Sequence, residues 1–242
     1  MLISVAGLWL MGRKHSGGNS LSSVDRTEAS VPLEKWQGPI PSVIADRFMA
    51  AKTQEQRMEL VRNPTEVGPS MEAFFKSGPG STELFRGMHP LTAGSSGDLT
   101  FECYAVEFAN APVRLLSVTI DPSGAKVDFE CYARLGSATW ADVLSGKATE
   151  AGEVRVLLQA GSYYLHAFND EQKWLHFKAT SSDLPDTLDF YLDRENPAIR
   201  ELQDSGEGIF PATLSIRAVK GSEKHHQYEI TGVKALGWVE PG

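Results

Sequence analysis

Apolar and polar positions change rhythm twice along the chain. Residues 2–11 (LISVAGLWLM) form an uncharged run closed by Gly12, Arg13, Lys14 and His15. Residues 12–41 follow no period; Gly, Ser, Pro and isolated charges dominate, too poor in apolar groups to offset the entropy of ordering. Trp36 is placed to tack the end of this stretch onto a folded part. From residue 42 the apolar positions recur at helical spacing, with Val43, Ile44, Phe48 and Met49 behind Ser42 as N-cap. Thr53 and Gln56 are spaced as a capping box that opens a second helix carrying Met58, Leu60 and Val61, which Asn63-Pro64 ends. A third helix follows Pro69-Ser70, with Met71, Phe74 and Phe75 on one face, and Gly78-Pro79-Gly80 closes the helical part. Short helices with one apolar stripe must bury it against another element.

From about residue 84 the period shortens to two. Predicted strands cover 99–108, 113–120, 126–133, 154–168, 174–180, 188–193, 214–219 and 228–239. Within 126–133, Val127, Phe129, Cys131 and Ala133 alternate with Asp128, Glu130 and Tyr132. Turns fall at Asn110-Ala111-Pro112, Asp121-Pro122-Ser123-Gly124 and Asn169-Asp170, and short helices are predicted over 139–145 and 196–203. Helices first and a mostly antiparallel meander after them predict one α+β domain over 42–240, its N-terminal helices packed on a curved sheet. The pattern is not βαβ repetition, and no Gly-rich phosphate loop follows a strand.

Composition narrows the partners. The 242 residues carry a formal net charge of −8, from 31 acidic and 23 basic residues, which argues against nucleic acid. Two cysteines exclude a disulfide-rich scaffold and a Cys-only zinc site. Phe-Glu-Cys-Tyr-Ala occurs at 101–105 and again at 129–133 without further matches at that spacing, so it marks two similar strands and not a duplication. With a strand between them, Cys103 and Cys131 would lie roughly 10 Å apart at ~4.8 Å per step. A disulfide needs Cα atoms within about 7 Å, so two buried free thiols are expected.

The run 2–11 is shorter than the roughly 20 residues a spanning helix needs. It lacks the basic n-region and cleavage site of a secretory signal. It reads as the C-terminal half of a membrane anchor that begins upstream of Met1. Stub, basic flank and polar stalk predict a domain tethered through its N-terminal segment at the cell envelope, with a cytoplasmic protein as the alternative.

The stretch 50–75 carries a resemblance through Ala51, Thr53, Glu55, Arg57, Val61, Arg62, Pro64, Val67, Pro69, Met71, Glu72 and Phe74. It resembles the helical part of an uncharacterised group of membrane-anchored bacterial envelope proteins in which such a stretch precedes a β-rich domain. The layout also looks like the cone-shaped nuclear-transport-factor-2-like superfamily, where helices close over a curved antiparallel sheet. The first resemblance covers about a tenth of the chain and implies location; the second implies architecture, and such cones host enzymes, ligand pockets and interaction domains alike.

The densest chemistry lies on a predicted hairpin, 163–168 and 174–179 joined by 169–173. A five-residue loop would pair Phe168 with Trp174, His166 with His176 and Tyr164 with Lys178. One face then shows Tyr164, His166, Phe168, Trp174, His176 and Lys178, opposite a core face of Leu165, Ala167, Leu175 and Phe177. Paired histidines among aromatics can line a ligand pocket or act as acid and base. A metal would need a third ligand such as Asp128 or Glu130, which nothing in the sequence places there, so neither metal nor cofactor is expected. The plain alternative is an amphipathic hairpin with a wet polar face. Asp128 and Glu130 suit a carboxylate pair or a solvated face; His225-His226 reads as an exposed turn; Trp140 reads as a core plug; Ser95-Ser96 lacks the strand–turn–helix setting of a nucleophile elbow.

Two function classes follow. The first is a non-enzymatic envelope domain binding a protein or small ligand between helices and sheet, with Tyr164, His166, Trp174 and His176 as ligand-binding candidates. The second is a hydrolase or isomerase using His166 or His176 as general base beside Asp128 or Tyr164.

Overall fold

The computed structural model describes residue 38 and residues 40–96, 98–121, 124–137, 139–145, 152–184, 186–204, 208–219, 221–222 and 225–240. The apolar stub, nearly all of the predicted linker and Trp36 lie outside the described residues. The fold is α+β, with curved antiparallel sheets and few helices. Among the described residues no helix is long and apolar enough to cross a membrane. The strands fall into two sheets, a number the sequence left open, and the chain clusters into two compact units that divide after Ala133.

The first unit opens with α1 (Pro41–Ala50), α2 (Gln54–Met58) and α3 (Pro64–Lys76). Ser42 is not the cap of α1: Ile40 takes that place and Pro41 starts the helix, its missing N–H being one the first turn leaves unpaired anyway. The Thr53/Gln56 capping box is present in full. Asn63 precedes α3 in the left-handed region, φ 46°, and α3 starts at Pro64, seven residues before the apolar stripe at Met71, and runs through Pro69.

The sheet that follows has the order β1 (Phe85–Ser96), β2 (Leu99–Phe108), β3 (Arg114–Asp121), β4 (Gly124–Asp128). Strand β1 has no predicted counterpart: FRGMHPLTAGSS does not alternate, and none of its described side chains is buried. At the other edge, Val61 caps β4, with Arg62 N–H donating to the Val127 carbonyl at 3.0 Å and Val127 N–H to the Leu60 carbonyl at 2.8 Å. The predicted strand 126–133 breaks at Asp128, where α4 (Phe129–Ala133) begins. Its cause is local, because Asp128 Oδ1 accepts the Cys131 N–H at 2.9 Å and so caps a helical turn. Phe48, Phe74, Phe75, Phe129 and Tyr132 then meet at 5.0–6.5 Å, mostly edge-on or tilted with Phe75 and Tyr132 stacked, and fill the space between α1, α3 and α4.

The second unit is a closed five-stranded barrel: β5 (Gly152–Gly161), β6 (Trp174–Thr180), β7 (Leu188–Asp193), β8 (Ile209–Ala218) and β9 (Gln227–Ala235), hydrogen-bonded in the order β5-β6-β7-β9-β8 and back to β5. All pairs are antiparallel except β7 with β9. Closure removes the free edges an open sheet would leave. The alternation fills the inside with Val154, Val156, Leu158, Phe177, Leu188, Phe190, Leu192, Leu214, Ile216, Tyr228 and Ile230. Helices α5 (Trp140–Leu144) and α6 (Ile199–Asp204) add Val143 and Leu202 to the same core. Trp140 packs half-buried against that core, in the plug role its sequence suggests.

Outward-facing positions are covered in two places. After β9 the chain lays Trp238 back on β5, its Nε1–H donating to the Val156 carbonyl at 3.0 Å while Arg155 Nε donates to the Trp238 carbonyl at 3.2 Å. The second covered place is the outer face of β6 and β7.

Candidate functional site

The period-2 pattern of β6 sends Leu175, Phe177 and Ala179 inward and Trp174, His176 and Lys178 outward. On β7 the outward set is Asp189, Tyr191 and Asp193, and on β9 it begins with Gln227. Cross-strand pairing lines up Gly161, His176 and Tyr191 in one row, and Gln159, Lys178, Asp189 and Gln227 in the next.

The hairpin register expected from the sequence does not form. Strand β5 ends at Gly161, opposite His176, and the connection to β6 runs over 162–173. A side chain at 161 is sterically barred, since a Cβ there would stand 2.4 Å from His176 Nδ1. The freed segment folds over the outer face of the barrel and makes a 3-10 turn at His166–Phe168. Phe168 is buried flat against Tyr191 at 4.1 Å and edge-on to Trp174 at 4.9 Å. Burial of that ring is one of the contacts that favour this path over the expected register.

His166 and His176 therefore part company. His166 is exposed in the 3-10 turn with φ 57°, stacked parallel on His225 at 3.7 Å. His176 is buried, with Tyr163 N–H donating to Nδ1 at 3.1 Å and Nε2 set 2.9 Å from Asp189 Oδ1. An accepting Nδ1 fixes the neutral tautomer with its proton on Nε2, donated to Asp189. Both ring nitrogens are thereby engaged inside the protein.

The same segment is held by two more polar contacts. Tyr191 Oη donates to the Tyr163 carbonyl at 2.9 Å, and Gln227 Nε2 donates to Tyr191 Oη at 3.0 Å and to the Leu165 carbonyl at 3.3 Å. Burial, and secondarily the charge of Asp189, push the Tyr191 phenol well up, so it stays a protonated donor. Gln227 Oε1 is buried without a hydrogen-bond partner among the described residues. Tyr164 stands half-buried with its ring 6.2 Å from that of His176.

What remains outward is a rim. Tyr163 is 38 % and Leu165 49 % exposed, beside exposed His166, His225 and His226. Next to Tyr163 lies an open depression of about 330 Å³ lined by Gln159, Ala160, Gly161, Ser162, Tyr163 and Lys178.

Asp128 serves the first unit. It pairs with Arg62 at 3.1 Å and caps α4. Glu130, expected on the same strand face, turns away because successive helical residues rotate by roughly 100°. Cys103 and Cys131 are free thiols, each within 3.2 Å of Ser117 Oγ, which sits between them. Burial pushes the Cys103 thiol up to about 11, the opposite of an activated nucleophile. Among the described residues no group of three or more His, Cys, Asp or Glu is placed to hold a metal.

Asp189, Tyr191, Gln227 and His225 escaped the sequence-based site, whereas Phe168 was on its face but in the wrong register. The alternation of 188–193 already sets Asp189 and Tyr191 on one face; which strand they neighbour was not legible. Compared with known protein families, curated proteins and solved structures, the chain has no match.

Proposed function

We propose that the chain is a non-enzymatic binding module, tethered at the cell envelope through its N-terminal segment, that engages a protein or small ligand. One observation carries the binding role. The 162–168 segment is fixed at its main chain by buried His176, Tyr191 and Gln227, while Tyr163 and Leu165 are turned outward. Rigid backbone behind exposed aromatic and aliphatic side chains lowers the ordering cost of recognition. In small Greek-key barrels the outer face of the second and third strands, with its flanking loops, is a common ligand surface. Here those strands are β6 and β7. In place of the groove between helices and sheet expected from the sequence, we place the binding site on the barrel, where this outward rim lies. The envelope tether rests on the 2–41 layout and on the resemblance over 50–75; the cone-shaped likeness adds only architecture.

Two experiments test this. Expressed from its native gene, the protein should pellet with membranes; recovery in the soluble fraction would overturn the tether. A hydrolase or isomerase needs a titrating group free to meet substrate. His176 has no nitrogen to spare, so that alternative rests on His166. Turnover on any ester, amide or isomerisable substrate that falls in His166→Ala at unchanged melting temperature would overturn the non-enzymatic role.

A further inference from the structure

Resting on that placement of the site, we propose that the depression beside Tyr163 takes a carboxylate-bearing saccharide, a uronic-acid unit. Its lining offers three kinds of group at once. Lys178 is exposed and makes no ion pair among the described residues, so its ammonium is free to take a carboxylate. Gln159 and Ser162, also exposed, supply an amide and a hydroxyl that hold no hydrogen bond among the described residues and match sugar hydroxyls as donor and acceptor. Tyr163 contributes a partly exposed aromatic ring, suited to the apolar face of a pyranose.

The setting selects among ligands. An apolar molecule would strand the amide, hydroxyl and ammonium without partners. A small inorganic anion would use Lys178 and leave Tyr163 idle. The volume of about 330 Å³ is at the small end of ligand sites, enough for a sugar unit of a longer chain entering from the open side. Gly161 contributes main chain to the lining, its missing side chain making room for the His176 ring that packs against it.

The test titrates the full chain with trigalacturonic acid and, separately, with the neutral galactose trimer, by calorimetry and backbone amide NMR. The acid should bind saturably and shift the amides of 159–163. Lys178→Met should weaken the acid at least tenfold and leave the neutral sugar unchanged, and Tyr163→Ala should weaken both. Both side chains are solvent-exposed, so unchanged melting temperatures serve as the folding control. Equal binding of acid and neutral sugar, or no effect of Lys178→Met, overturns the uronate assignment. If the acid fails while a neutral sugar or a peptide shifts 159–163, the ligand class falls and the binding surface stands. If no probe of any class shifts these residues, both fall.

Discussion

Replacing His176 by alanine separates a supporting histidine from a catalytic one. The substitution removes the acceptor of the Tyr163 N–H and the donor to Asp189 Oδ1. An ordinary net hydrogen bond contributes about 1 kcal/mol. The contact with Asp189 is charge-assisted, but that carboxylate is 23 % exposed and can rehydrate, so about 1 kcal/mol is again appropriate. Removing a fully buried ring adds about 1–2 kcal/mol for the cavity beneath Gly161. The sum, about 3–4 kcal/mol, lowers the barrel's melting temperature by roughly 15 °C for a unit of this size. Two partial replacements give internal controls. His176→Asn keeps an acceptor near the Nδ1 position, and His176→Gln keeps a donor near Nε2, so each should recover about 1 kcal/mol relative to alanine. Urea unfolding followed by circular dichroism measures all four proteins, and hydrogen exchange at the Tyr163 amide reports the local contact. A melting temperature unchanged in His176→Ala would refute the reasoning, as would asparagine and glutamine variants no more stable than alanine.

Three further outcomes follow from other parts of the molecule. Asp128→Ala removes both the Arg62 ion pair and the α4 cap and should destabilise the first unit by about 3 kcal/mol, whereas Asp128→Asn keeps the capping oxygen and should lose about half of that; equilibrium unfolding distinguishes them. The Cys103 thiol is raised from 9.0 to about 11 in the folded state, so its stabilising effect is whole below pH 9 and is lost as the pH climbs through 11. Urea midpoints between pH 8 and 10.5 should therefore fall less steeply in Cys103→Ala than in the parent, and parallel curves would contradict this. Trp238→Ala deletes a buried ring and its bond to Val156 and should cost the barrel about 3–4 kcal/mol, read as an earlier transition in calorimetry.

The strands with clean alternation were legible: 99–108, 174–180 and 188–193 match β2, β6 and β7 end to end. The Thr53 capping box was legible too, because that signal acts within four residues, and the short helix expected over 139–145 forms as α5. Strand β1 was not, since an edge strand with no buried side chain leaves no period to read. The break at Asp128 was hidden for a different reason: Phe129, Cys131 and Ala133 alternate, yet one carboxylate capping the Cys131 amide outweighs the pattern. Closure of a barrel, and its separation from the first sheet, depends on pairs such as β5 with β8 that lie more than 50 residues apart and have no local signature.

The misplaced histidine pair shows why a site is harder to read than a strand. Counting back from Trp174 through 169–173 gives a sensible hairpin, and every side chain involved would be acceptable there. What decides against it is a sum of non-local contacts made only when β7 and β9 are in place: Phe168 on Tyr191, the Tyr191 hydroxyl on the Tyr163 carbonyl, and Gln227 on the Leu165 carbonyl. Two of these three contacts go to the backbone, so they hold the path of 162–168 without prescribing its exposed side chains. Stability and recognition are thereby carried by different atoms of one segment. Alanine at Tyr163 or Leu165 should leave the unfolding free energy within about 0.5 kcal/mol, as for exposed positions in general, while alanine at Phe168, Tyr191 or Gln227 should lower it several-fold more. If Tyr163→Ala destabilised the barrel as much as Phe168→Ala does, the exposed ring would be part of the barrel's packing and the case for a recognition surface would be lost.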